Sequence, residues 1–177
     1  RASVGGLCYH VLNRGNGRSE VFHEDGDYAA FLKLLTQAGE RVPLRLLSYC
    51  LMPNHFPVVL WPQHDGDMSR RVQWLLTAPG RRHHPHYHSN GHVWQGRYFS
   101  CVMDAPHLWA CVRYVGRNPV RAGLVDRAED WPWSSAAAHC GLGEDLLLSP
   151  VEMPGPVSNW RAYLQDDSPD EIATIRR

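Results

Sequence analysis

Two apolar, strand-like runs, at residues 44–51 and 55–61, are separated only by Met52-Pro53-Asn54. A connection this short joins antiparallel neighbours, because a parallel crossover needs a dozen or more residues. A hairpin is therefore fixed inside the chain, and the other elements must be arranged around it. Before it, Leu7-Cys8-Tyr9-His10-Val11-Leu12 alternates as a strand does and stops at Asn13-Arg14-Gly15-Asn16-Gly17. Asp25 or Asp27 then caps a helix whose stripe of Tyr28, Phe31, Leu32, Leu34 and Leu35 runs up to Gly39. After the hairpin, residues 67 to about 82 form a helix with Met68, Val72, Leu75 and Leu76 inward, and residues 93–102 read as another strand. The order strand-helix-strand-strand-helix-strand predicts an α+β fold, a ferredoxin-like antiparallel sheet with helices packed on it.

One further helix is expected against that sheet. Asp104-Ala105-Pro106 is a start signal, a capping carboxylate followed by a proline tolerated in the first turn. Leu108, Cys111 or Val112, and Val115 recur at helical spacing and mark the buried side. Tyr114 and Asn118 lie four apart on one face, Arg113 and Arg117 on a neighbouring one, and Pro119 limits or kinks the helix.

With 177 residues, 44% hydrophobic and 20% charged, the chain suffices for one well-cored domain. The expected division is a domain over residues 1–140 and a proline- and acid-rich tail over residues 141–177, with a short helix from Asp170 to Arg177. No apolar run approaches the roughly 20 residues that span a bilayer, and the first six residues lack a signal-peptide core, so no membrane association is expected and the protein should be soluble and cytoplasmic. The five cysteines are odd in number and never spaced Cys-x-x-Cys, which predicts reduced, mostly buried thiols rather than a disulfide framework or zinc knuckle.

The net charge of +0 conceals a segregation along the chain. Residues 66–127 hold nine arginines and three aspartates, whereas residues 144–177 hold seven acids and three arginines. Lys33 is the only lysine. Guanidinium forks grip phosphate oxygens in pairs, so the middle of the chain suits a polyanion, although arginine-rich composition also arises without any such partner.

Two positions carry candidate chemistry. Alternate strand residues share a face, so His55 and position 57 point together, and two histidines there would make half of a divalent-metal site. Position 57 is proline, which cannot ligate through its side chain and removes a ladder donor. A lone strand histidine is commonly structural. Tyr114 is either a boundary residue with a buried ring and a wet hydroxyl, or a nucleophile whose oxygen attacks phosphorus beside flanking arginines.

Four motifs occur in order: Tyr9-His10-Val11-Leu12-Asn13-Arg14-Gly15; Tyr49-Cys50-Leu51-Met52-Pro53-Asn54-His55-Phe56; Gly91-His92-Val93-Trp94-Gln95-Gly96-Arg97; and Arg113-Tyr114 continuing to Asn118-Pro119-Val120-Arg121-Ala122-Gly123-Leu124-Val125. Together they resemble the REP-associated tyrosine transposases of the HUH single-tyrosine superfamily, over roughly residues 4–140, with Trp131-Pro132-Trp133-Ser134-Ser135 matching the usual end of the domain. The resemblance implies a domain that binds single-stranded DNA near a hairpin and cleaves one strand. It implies Tyr114 as the nucleophile, leaving a 5′-phosphotyrosine and a free 3′-hydroxyl. His55 and Asn118 would then be ligands of a weakly held divalent metal, Mg2+ or Mn2+. The family's second histidine is replaced by Pro57, so the expectation is a DNA-binding scaffold with impaired cleavage; the alternative is an inactive hairpin-specific DNA-binding descendant.

Candidate backbone contacts are Arg14, Arg18, Arg70, Arg71, Arg81, Arg82, Arg97, Arg113, Arg117 and Arg121. His83-His84-Pro85-His86-Tyr87-His88 offers ligands of the kind zinc takes, but its cramped spacing and missing cysteine partners favour a loop near DNA over a zinc site. Trp94, Tyr98 and Tyr87 could stack on unpaired bases, with core packing favoured for Trp94. The implied setting is the bacterial nucleoid, as a monomer or a dimer.

Overall fold

A computed structural model describes residues 3–78, 92–149 and 157–166 of the protein. Strand β1 (Cys8–Arg14), helix α1 (Asp25–Arg41), strands β2 (Arg45–Tyr49) and β3 (His55–Trp61), helix α2 (Asp67–Thr77) and strand β4 (Phe99–Met103) follow one another along the chain. The sheet is antiparallel throughout in the order β2-β3-β1-β4, the ferredoxin-like arrangement predicted from the hairpin. Helix α3 (Ala105–Arg121), a short α4 (Ala136–His139) and α5 (Trp160–Gln165) complete it. Among the described residues no helix is long and apolar enough to cross a membrane.

Strand alternation sorts the side chains into two cores. Tyr9 and Val11 of β1 and Phe56, Val58 and Leu60 of β3 meet Phe31 and Leu35 of α1 and Met68 and Val72 of α2. On the other face Val59 and Met103 meet Leu108, Cys111, Val112 and Val115 of α3. The sheet is thus buried on both sides, with the tyrosine-bearing helix packed directly on the second face.

Local chemistry sets the helix ends. Asp104 caps α3, its carboxylate accepting from the His107 N–H at 3.0 Å, as the sequence predicts. The cap of α1 is Glu24 rather than Asp25 or Asp27; Asp27 instead accepts from the backbone N–H groups of His23 (2.8 Å) and Glu24 (3.3 Å), the reciprocal half of a capping box. The strand expected over residues 93–102 is shortened to Phe99–Met103. Trp94 makes only an isolated bridge to Gly15, and the chain turns at Gly96, whose φ of +99° excludes an extended strand.

Pro57 lies on a strand inside the sheet, where proline is ordinarily excluded. The hairpin register places Cys50 opposite it, and the Cys50 N–H donates to the Pro57 carbonyl at 3.1 Å. The return bond is the one proline cannot make. Beyond Tyr49 the β2 segment turns its other edge to residues 133–135: Leu51 N–H donates to the Trp133 carbonyl (2.8 Å) and Ser135 N–H to the Tyr49 carbonyl (3.0 Å). The cost is one ladder bond near the hairpin tip, about 1 kcal/mol.

Residues after 140, expected as a tail, pack against the domain where they are described. Asp145 accepts from the Tyr49 hydroxyl at 2.7 Å, and Ser149 bonds both backbone groups of Leu46. Helix α5 lies on α3. Leu164 packs so closely on Gly116 that a Cβ there would come within 2.9 Å of its Cδ2, and Trp160 stacks on His139 at 4.6 Å. Two ion pairs of 2.8 Å, Arg113–Asp166 and Arg161–Glu129, flank that contact. The expected helix at 170–177 lies outside the described residues.

Candidate active site

The hairpin tip positions His55. Its Nδ1 is 2.7 Å from Asn54 Oδ1, and the Asn54 amide nitrogen donates to the Arg18 carbonyl at 3.3 Å. An amide oxygen only accepts, so a proton sits on His55 Nδ1; in the neutral ring that leaves the lone pair on Nε2. That Nε2 is 3.4 Å from Asn118 Oδ1.

Asn118 is fixed with equal definition. Its Nδ2 donates to the Tyr114 carbonyl at 2.9 Å and reaches the Val115 carbonyl at 3.5 Å. Pro119, within α3, has no N–H for the Val115 carbonyl, and the asparagine amide fills that place. The amide orientation follows: nitrogen toward the helix, oxygen toward His55. Two acceptors thus face each other across 3.4 Å, which calls for a proton or a cation between them. The separation suits neighbouring ligands each about 2.0–2.2 Å from one ion.

Pro57 projects on the same side of β3 as His55 and is buried, and its ring brings no donor atom. Among the described residues no group of three or more His, Cys, Asp or Glu side chains could hold a metal. An ion held by His55 and Asn118 alone would have to take its remaining ligands from water or phosphate.

Tyr114 lies one turn before Asn118 and is only 5% exposed. Its ring stands edge-on to His10 at 5.9 Å, and the Arg121 guanidinium covers it at 5.2 Å. The ring is packed as a boundary residue would be, and its neighbour on the same helix face is the Asn118 side chain.

The predicted arginines separate into groups. Arg14 pairs opposite His55 across the β1–β3 ladder. Gln95 N–H donates to the Arg14 carbonyl at 2.8 Å, and Asn13 Nδ2 to the Gly96 carbonyl at 3.4 Å, which brings the exposed Arg97 to the same end of the sheet. Exposed Arg18 joins them through Asn54, and exposed Arg121 lies over the tyrosine.

Other arginines have structural occupations instead. Arg71 is 4% exposed and donates to the carbonyls of Leu44 (3.0 Å) and Leu35 (3.5 Å). It braces α2 against the end of α1, burial lowers its pKa to about 10, and it is not a surface contact for DNA. Arg70 bonds Asp67 at the opposite end of β3, roughly 20 Å along the strand from His55. Arg113 and Arg117 are 8% and 7% exposed, and Arg113 donates to Asp166 at 2.8 Å with its guanidinium over Tyr163, so neither presents the open phosphate contact expected of it. Trp94 is buried among Phe22, Phe31 and Phe56, not displayed for stacking, and the Tyr98 hydroxyl donates to Ser69 at 3.1 Å. Arg81, Arg82 and the histidine run with Tyr87 lie outside the described residues.

Sequence reasoning overlooked Asn54 and His10. Both adjoin singled-out residues, His55 in a tight turn and the Tyr9 alternation; only the folded contacts give them a role.

A family profile described as IS200-like transposase matches residues 3–118. The chain is 23% identical over 159 residues to a REP-associated tyrosine transposase of Escherichia coli, covering 89% of this chain and 90% of that protein. It is 26% identical over 117 residues to a Haemophilus influenzae protein whose name places it provisionally in the same group; that match covers 59% of this chain and spans 66% of the relative's length. A solved structure described as a REP-associated tyrosine transposase bound to a REP hairpin superposes with a TM-score of 0.64 at 19% identity, over 90% of this chain and 93% of that one.

Proposed function

The chain belongs to the IS200-like transposase family, and from that membership together with its site we propose that it binds hairpin-flanked single-stranded DNA and acts on one strand through Tyr114. The single observation that supports this most is the facing pair of acceptors, His55 Nε2 and Asn118 Oδ1, 3.4 Å apart and one helical turn from Tyr114. In the reaction the Tyr114 oxygen forms a bond to phosphorus as the bond from phosphorus to the 3′-oxygen breaks. The phenolic proton is lost to solvent, the 3′-oxygen gains one, and the 5′-phosphotyrosine conserves the bond energy for rejoining.

His55 and Asn118 would hold a divalent ion, Mg2+ or Mn2+, whose contribution is polarisation of the scissile phosphate. Arg14, Arg18 and Arg97 position the backbone beside that pair. Arg121 must leave the face of Tyr114 for the phenol to meet phosphate, and its place at the exposed end of α3 makes that movement local. With Pro57 in place of a third protein ligand, metal is held weakly and cleavage is slow.

A second reading, DNA binding without cleavage, is favoured by Pro57 and the depth at which Tyr114 is packed. Incubation of the protein with a labelled hairpin carrying single-stranded flanks and Mn2+, followed by denaturing electrophoresis, separates the two. Slow formation of a protein–DNA adduct that Tyr114→Phe abolishes supports the transposase reading. Hairpin binding with no adduct, even in Pro57→His, supports the binding-only reading, and adduct formation unchanged in Tyr114→Phe overturns the nucleophile assignment.

A further inference from the structure

We propose that Asn54 is a positioning residue that holds His55 in the tautomer able to ligate and couples it to the Arg18 loop. Both ends of the Asn54 amide are committed: Oδ1 accepts from His55 Nδ1 at 2.7 Å, and Nδ2 donates to the Arg18 carbonyl at 3.3 Å. The corner bearing it is tied to the same loop through its backbone. Gly15 N–H donates to the Asn54 carbonyl at 2.8 Å, and Val21 and Phe22 N–H donate to the Pro53 carbonyl at 2.8 and 3.0 Å. Rotating the Asn54 amide by half a turn would set its NH2 against His55 Nδ1 and its oxygen against the Arg18 carbonyl oxygen, two acceptors face to face, so the Arg18 carbonyl fixes the orientation.

The consequence falls on the far side of the imidazole. With Nδ1 protonated, Nε2 offers a lone pair toward Asn118 Oδ1. Without the Asn54 acceptor the ring can take its other tautomer, in which Nε2–H donates to Asn118 Oδ1 and the pair closes to cations. Asn54 therefore selects between an internal hydrogen bond and an open pair of ligands.

The loop supplies the coupling. Arg18 is the only non-glycine among the described residues with a left-handed backbone, φ +64°, and its side chain is exposed. That conformation is uncommon for arginine, so the loop is held in it by its surroundings, the Asn54 bond to its carbonyl among them. A phosphate held by Arg18 biases the loop, the loop carbonyl orients Asn54, and Asn54 orients His55.

This inference rests on the reading of His55 as a ligand, and its test separates the two. The tautomer is read in metal-free protein at pH 8 from the 15N shifts and long-range couplings of the His55 ring. The parent and Asn54→Asp, which keeps an acceptor, should show protonated Nδ1; Asn54→Ala should show protonated Nε2 and bind Mn2+ about 10–100-fold more weakly. Addition of a hairpin oligonucleotide should shift the His55 ring signals in the parent and much less in Asn54→Asp, which lacks the donor to Arg18. Protonated Nε2 in the parent, or an unchanged tautomer in a folded Asn54→Ala or Asn54→Gly variant, overturns the proposal. The predicted tautomers without Mn2+ broadening of His55 leave Asn54's positioning role standing and sink the ligand reading.

Discussion

Position 57 concentrates the chemistry of the site in one side chain. The proline ring is buried on the side of β3 that also bears His55 and Val59, the last of which packs in the core with α3, so a histidine there would project to that side. Pro57→His should raise Mn2+ affinity at least tenfold and restore the N–H that the Cys50 carbonyl faces, measured by calorimetric titration and by the rate of adduct formation; unchanged affinity would mean that α3 leaves no room for a third ligand. Arg71→Met makes the opposite kind of test. It strands the Leu44 and Leu35 carbonyls in the interior and should lower stability by about 2–3 kcal/mol in urea titrations while leaving hairpin affinity intact. The shared face of His55 and residue 57 was legible, because a strand repeats every two residues. The occupation of Arg71 was not, since nothing in Arg70-Arg71 tells an outward guanidinium from one that reaches two carbonyls some thirty residues away. The role of Asn54 was hidden for a similar reason: its partner carbonyl belongs to a loop 36 residues earlier.

Among the elements, α3 is gripped from both sides, by the sheet and by α5 together with the turn Ala128–Asp130. His139 at the end of α4 stacks on Trp160 of α5, and burial lowers its pKa to about 4, outweighing the pull of Asp145 in the other direction. An unfolded histidine titrates near 6.5, so this group stabilises the fold fully above that pH, and the contribution is lost as pH falls toward 4. The loss amounts to about 3 kcal/mol. Urea midpoints should therefore fall between pH 7 and pH 4.5 in the parent, and clearly less in His139→Phe, which keeps the aromatic stack; parallel pH profiles would remove His139 from the account. The start of α3 could be read from Asp104-Ala105-Pro106 because capping is local. Docking of α5 could not, since it depends on Gly116 meeting Leu164, two residues with no pattern linking them.

For the molecule as a whole, net neutrality is no guide to its affinity for a polyanion. Arg14, Arg18 and Arg97 gather at one end of the sheet; under the proposed DNA-binding function they would neutralise about three phosphates, and the logarithm of hairpin affinity should fall with that of salt with a slope of roughly 3. Fluorescence anisotropy between 50 and 200 mM salt, about the range over which such slopes are read, should give that value, with Arg18→Ala reducing it by about 1 and Arg71→Met leaving it alone. A salt-independent affinity would deny these arginines their role. Topology was readable at this scale because one three-residue connection excluded the parallel alternatives; the placement of charge was not, because it requires knowing which arginines the two cores consume.

The two margins of the sheet are unlike. The outer margin of β2 is occupied by residues 133–135 and by Ser149, whereas among the described residues nothing pairs with the outer margin of β4. A molecule with two open margins can polymerise strand on strand without end. Here one margin is sealed, so pairing of β4 with β4 of a second copy is terminal: the two margins that remain are both covered β2 margins, and no filament can grow from them.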